Sequence, residues 1–138
     1  MGIEIRFTAD GIGMVWASTG LLTGRDLLDA DTRLRDEVTS GRTIRYLLVD
    51  HSAIPEESIE SGSIQILAEQ SEESLELIPD GVVAVVAPND VLFGLSRMWE
   101  QFVEYPRLTP RVMRSRDEAI AWLQDELAER ELPFRLTD

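Results

Sequence analysis

The chain has no cysteine, no lysine, a single histidine and no long apolar run, and each absence closes off a set of functions. Without cysteine there is no disulfide framework, no thiolate nucleophile and no thiolate zinc site. Without lysine the phosphate loop GxxxxGK[ST] cannot be built. Neither Gly11-Ile12-Gly13 nor the stretch from Gly20 to Gly24 supplies GxGxxG, so a nucleotide site of the common types is not expected, and no cofactor is implied. His51 is the one imidazole, so any histidine acid–base chemistry must use it. No segment approaches the roughly 18 apolar residues of a membrane span. The opening Met1-Gly2-Ile3-Glu4-Ile5-Arg6 lacks the apolar run of a signal peptide. The expectation is a cytoplasmic protein with no integral membrane segment.

What is present is an acidic globular composition. The 138 residues are 43% hydrophobic and 28% charged, enough to close one core, and the expected organisation is one domain over residues 1–138. Twenty-six acidic residues face thirteen basic ones, a net charge of −13. That surface repels phosphate backbones, which argues against nucleic acid as a partner. All the basic residues are arginine. Adaptation to high salt and the codon usage of a GC-rich genome both account for this.

Ile3 to Thr8 alternates apolar and polar as a half-buried strand does, Asp10-Gly11 supplies a turn, and Met14 to Ala17 reads as the returning strand. Thr23 and Asp26 form a capping pattern for a helix that carries Leu27, Ala30, Leu34 and Val38 and ends at Gly41. Ile44 to Asp50 is a strand. A loop containing Pro55 leads to a helix with Ile64, Leu67, Ala68, Leu75 and Ile78 on one stripe, and Glu69, Glu72, Glu73 and Glu76 on the solvated side. Val82 to Ala87 is uniformly apolar and β-branched, as a central parallel strand covered on both faces should be. Asn89 or Asp90 caps a helix whose apolar face is Leu92, Leu95, Met98, Trp99, Phe102 and Val103. Arg111 to Arg114 is a short last strand. Ser115 and Glu118 cap a final helix with Ala119, Ile120, Leu123 and Leu127, and Leu132, Pro133 and Phe134 either pack down or reach a neighbouring subunit. The order β-β-α-β-α-β-α-β-α implies an α/β fold with a mixed, mostly parallel five-stranded sheet and helices packed on it.

Ligands of such sheets gather at the carboxyl ends of the strands, which directs attention to Asp50-His51-Ser52, to Ala87-Pro88-Asn89-Asp90 and to Arg114-Ser115. Asp50, His51 and Ser52 have the residue types of a hydrolase triad. Neighbours on an extended strand point to opposite faces, however, so they cannot form the relay. No metal-ligand spacing occurs. Ser58, Ser61 and Ser63 lie at the start of the second helix, where amides and dipole favour an anion, and where ordinary capping accounts for serines equally well. Phe93, Trp99, Phe102 and Trp122 fit either plain core or an apolar pocket. Phe93 lies off the main stripe, beside Gly94 and near the strand end.

Tyr46-Leu47-Leu48-Val49-Asp50 before its loop, Val83-Ala84-Val85-Val86-Ala87-Pro88-Asn89-Asp90 running into Phe93-Gly94-Leu95-Ser96-Arg97-Met98-Trp99-Glu100, and Arg114 to Leu123 together resemble the SpoIIAA-like, STAS-type domains of the anti-anti-sigma factors. The resemblance implies a non-enzymatic regulatory module whose partner is a protein or a small apolar ligand. Its phosphorylatable serine, in an Asp-Ser-Ser-Gly-like turn, has its nearest match in Glu60-Ser61-Gly62, with Ser61 first and Ser58 second. The ligand or partner surface then falls on Asp50, His51, Ser52, Asn89, Asp90 and Phe93. Two other readings stand beside it: a small enzyme using His51 with Asp50 or Asp90, and a structural homodimer formed through an apolar helix face and the Leu132-Pro133-Phe134 tail.

Overall fold

Six residues alternating in burial open the chain as strand β1, Gly2–Phe7, the period-two pattern of an edge strand with one face on a core. The computed structural model describes residues 2–19, 24–53, 80–102 and 109–137. β1 is followed by β2 (Gly13–Thr19), helix α1 (Gly24–Thr39), β3 (Tyr46–Ala53), β4 (Val82–Val86), α2 (Asp90–Phe102), β5 (Thr109–Met113) and α3 (Arg116–Glu129). The strands lie in the order β1-β2-β3-β4-β5. β1 is antiparallel to β2 and the remaining pairs are parallel. This is the mixed, mostly parallel five-stranded sheet that the sequence implies. The expected helix over 64–78 and its acidic face lie outside the described residues, as do Thr23, Ser58 and Ser61.

Alternation along the strands divides the core in two. On one side Met14, Trp16, Leu47, Val49, Val83, Val85 and Val112 meet Ala30 and Leu34 of α1 and Leu92 of α2. On the other, Val15, Tyr46, Leu48, Val82, Ala84, Val86 and Met113 meet Ala119, Leu123 and Leu127 of α3. β4 is buried at every position, as its apolar sequence requires of a strand covered twice. Each aliphatic side chain of this size taken fully out of water contributes about 1.5–3 kcal/mol.

The helix ends follow their sequence signals where these are described. Gly41 takes φ +107°, which closes α1 in the left-handed region that glycine enters without penalty. The Ser115 hydroxyl accepts from the Glu118 amide at 3.2 Å and donates to the Glu118 carboxylate at 3.1 Å, so this cap forms as expected. On α2 two described positions differ from expectation. Ser96 is buried and Met98 is 47% exposed, while Phe93 is half-buried against the core rather than off the stripe. Among the described side chains Leu92 and Ser96 are buried and Phe93, Leu95 and Glu100 half-buried, and the Glu100 carboxylate accepts from the Val112 amide at 3.0 Å.

The tail packs down. Leu132, Phe134 and Leu136 extend the α3-side core, and the Phe134 ring sits 5.4 Å from that of Tyr46. The Ala9 and Asp10 amides donate to the carbonyls of Leu136 and Arg135. A homodimer built through this tail would compete with its place in the core, which removes that element of the dimer reading. Asp10 fastens the region: its carboxylate accepts from the Tyr46 hydroxyl at 2.5 Å, the Thr8 hydroxyl at 2.5 Å and the Ile12 and Arg135 amides at 3.0 and 2.7 Å. Burial alone would raise the Asp10 pKa, but these hydrogen bonds outweigh it and hold the group below its ordinary value.

Candidate functional site

Because β2 to β5 run parallel, their carboxyl ends share one rim. The register aligns Asp50 with Val86 and Val86 with Met113, so the segments after β3, β4 and β5 emerge side by side. The pleat then assigns each side chain a face. Asp50 turns to the α3 side and His51 to the opposite side.

On the α3 side the Asp50 carboxylate accepts from Arg116 Nη1 at 2.7 Å, from the Ser52 amide at 2.9 Å, and from the Ser52 hydroxyl. Burial pushes its pKa up, and the Ser52 and Arg116 hydrogen bonds pull it further down, leaving it lowered overall. Asp50 is thus a fixed anion that ties the end of β3 to the start of α3. On the other side His51 is buried beside Ser18, its Nδ1 2.8 Å from the Ser18 hydroxyl. Burial lowers the His51 pKa to about 4, with only partial opposition from the Asp50 charge, so the imidazole is neutral at pH 7. Trp16 Nε1, two residues before Ser18 on β2, is also buried and has no hydrogen-bond partner among the described residues.

At the end of β4 the Asn89 carboxamide accepts from the Leu92 amide at 2.8 Å, which makes Asn89 the cap of α2. Asp90 is exposed and accepts from Arg114 Nη1 at 2.7 Å. The same nitrogen donates to the Pro88 carbonyl at 3.2 Å. The Arg114 guanidinium lies 4.0 Å over the Phe93 ring. Salt bridge and cation–π contact together hold the ends of β4 and β5 in one arrangement, each contributing about 1 kcal/mol or less at exposed positions.

Of the residues singled out in the sequence, the structure therefore groups Asp50 with Ser52, and Asn89 with Asp90 and Phe93, along one rim. It takes His51 away from that rim into the interior, so His51 is not part of an exposed surface. Asp50 and His51 occupy opposite faces, as the pleat demands. Phe93 packs on the α1–α2 side and Trp122 on the α3 side, so the sheet separates them and they cannot line one pocket. The side chains of Trp99 and Phe102 lie outside the described residues. Sequence reasoning missed Ser18 and Arg116, and marked Arg114 only as a strand end. Only a strand register could have paired Ser18 with His51 across the 33 residues between them.

Arg116 also borders a groove of about 360 Å³ between the end of β1 and the tail, lined among others by Arg6, Thr8, Val15 and Leu136. Among the described residues no three His, Asp or Glu side chains are grouped so as to hold a metal ion, and no helix is long and apolar enough to cross a membrane.

Neither a protein-family model nor a curated protein sequence matches the chain. Among solved structures it is similar to the anti-sigma factor antagonist SpoIIAA in its unphosphorylated form, with a TM-score of 0.59 at 15% identity, over 89% of this chain and 98% of that one. The chain has the SpoIIAA-like fold.

Proposed function

We propose that the chain is a non-enzymatic regulatory domain of the cytoplasm, one STAS-like unit over residues 1–138. Its protein partner docks across the carboxyl ends of β3, β4 and β5. The observation that carries this reading is the rim itself. Asp50 with Arg116, and Asp90 with Arg114 and Phe93, set paired charges and an aromatic ring side by side along it, a charge pattern that a complementary partner surface can read. The SpoIIAA-like fold supports the same reading, since the solved protein that shares it is an anti-sigma factor antagonist. The small-enzyme reading is disfavoured by the placement of His51, which is buried, neutral and on the far face from Asp50.

In this reading Ser61, or Ser58 in second place, takes a phosphate that changes partner affinity. The test is the mass of the protein isolated from its host, with and without phosphatase. One removable phosphate mapping to Ser61 or Ser58 is the expected result. A protein that associates with its partner equally well whether or not those serines are replaced by alanine would remove the switch.

A second reading, a small ligand with an apolar body, draws on the groove beside Arg116. Val15 and Leu136 offer it apolar surface while Arg6 and Arg116 offer positive charge. A carboxylate-bearing apolar molecule that leaves the protein on denaturation, and is lost in an Arg6→Glu variant, would support it.

A further inference from the structure

β1 ends the sheet, with β2 as its hydrogen-bonded neighbour among the described residues. The phase of that ladder shows which backbone groups of β1 face away from it. The Thr8 amide donates to the Gly13 carbonyl at 3.0 Å, so this is a bonded pair. Bonded and non-bonded pairs alternate in antiparallel ladders. Arg6, Glu4 and Gly2 therefore turn their backbone groups toward β2, and Phe7, Ile5 and Ile3 turn theirs outward. The side chains divide in the same alternation. Ile3, Ile5 and Phe7 are half-buried on the α1 side, while Glu4 and Arg6 stand exposed on the opposite face with Arg6 Nε 3.6 Å from the Glu4 carboxylate.

We infer that this edge pairs with the same edge of a second copy, antiparallel, about a two-fold axis at Ile5, joining the two sheets into one. In that register Ile5 faces Ile5 of the second copy, and Ile3 faces its Phe7. Both are bonded positions, because these residues carry the outward amides and carbonyls. Glu4 then faces Arg6 of the second copy at a non-bonded position, where Cα atoms approach to about 4.5 Å and side chains lie closest. Two opposite-charge pairs form on the open face and an apolar row continues across the α1 side. Shifting the axis to Glu4 sets Glu4 against itself, and shifting it to Arg6 sets Arg6 against itself. Odd shifts place each charge opposite an apolar residue of the wrong face. Only the Ile5 register is self-complementary. Charges on an edge strand usually keep sheets apart; opposite signs two residues apart make this edge select its own copy instead. The net charge of −13 per copy opposes association over long range, and about 0.15 M salt screens that repulsion beyond about 8 Å.

Sedimentation velocity on the whole chain at that salt tests the pairing. The wild-type protein is expected to show a concentration-dependent dimer. Glu4→Arg and Arg6→Glu, each placing two like-charge pairs in the interface, are expected to weaken it by about tenfold or more. The double variant E4R/R6E is expected to restore it, because the swap regenerates both pairs. Ile5→Pro removes an outward amide while leaving the bonded pairs with β2 in place, and is expected to leave a monomer; circular dichroism checks that every variant is folded. A wild-type protein that stays monomeric to about 1 mM, a dimer indifferent to both single substitutions, or a double variant no better than the singles overturns the inference.

Discussion

The pleat of β3 sends Asp50 to the α3 side of the sheet and His51 to the side that carries Ser18 and Trp16, and the two side chains end in different states. Asp50 is held ionised by Arg116 and Ser52. His51 is held neutral by burial, with a folded pKa of about 4 against an ordinary 6.5. As pH falls, the unfolded chain takes up the imidazole proton first. Stability is therefore full above about pH 6.5 and declines as pH drops toward 4, by up to about 3 kcal/mol from this group. Urea unfolding between pH 4 and 7 should show that slope in the wild-type protein and a flatter one in His51→Gln. Equal slopes would contradict the buried, neutral state. Ser18→Ala should cost about 1–3 kcal/mol at pH 7, the penalty of leaving a buried ring nitrogen without its hydroxyl.

At the scale of elements, the tail and the β1–β2 turn depend on Asp10, which binds Thr8, Ile12, Tyr46 and Arg135 at once. Its depressed pKa contributes stability that is present above the ordinary carboxylate range and is lost as pH falls through the lower folded value. Asp10→Ala should destabilise by about 2 kcal/mol at pH 7, measured by chemical unfolding, and narrow the loss of stability in acid. Gly13→Ala should be worse than a usual glycine replacement in a strand, because an added Cβ would meet the Tyr46 ring at 2.3 Å. Calorimetry on G13A that gave a wild-type midpoint would show the Tyr46 ring free to move aside.

These elements were legible to different degrees. Val82 to Val86 announced a doubly covered strand because nothing in it is polar, and Ser115 with Glu118 announced the start of α3 because a cap is local chemistry. The burial of Ser96 and the exposure of Met98 on α2 were not legible. Of the expected apolar face at 92, 95, 98, 99 and 102, Leu92 is buried and Leu95 half-buried, whereas Met98 is exposed and Ser96, outside that face, is buried. The same helix places Glu100 at the Val112 amide and Phe93 under the guanidinium of Arg114, which follows β5, and no local pattern signals either contact. Asp50, Asn89 and Asp90 could be marked from the strand ends alone. Their arginine partners arrive from 66 and 24 residues away, for Asp50 and Asp90 respectively, and no local pattern signals that.

At the scale of the molecule, arginine alone must balance an excess of carboxylates, and several of the described arginines are committed to structural pairs: Arg116 to Asp50, Arg114 to Asp90, Arg130 to Asp80 and Glu126. Reversing one member of a rim pair would therefore disturb both fold and surface, whereas exchanging the two keeps the bridge and inverts the charge pattern a partner meets. If the net charge reflects adaptation to salt, the unfolding free energy should climb steeply as salt is raised well beyond the range that screening of the repulsion alone requires; a plateau at about 0.15 M would favour codon usage as its origin. The most direct test of partner docking at the rim is native mass spectrometry of protein isolated from its host, comparing wild type with the exchanged variant D90R/R114D. The wild-type protein is predicted to carry a second, different polypeptide that the folded variant has lost. A partner retained equally by both, or a wild-type protein that carries none, would contradict docking across the carboxyl ends of β3, β4 and β5.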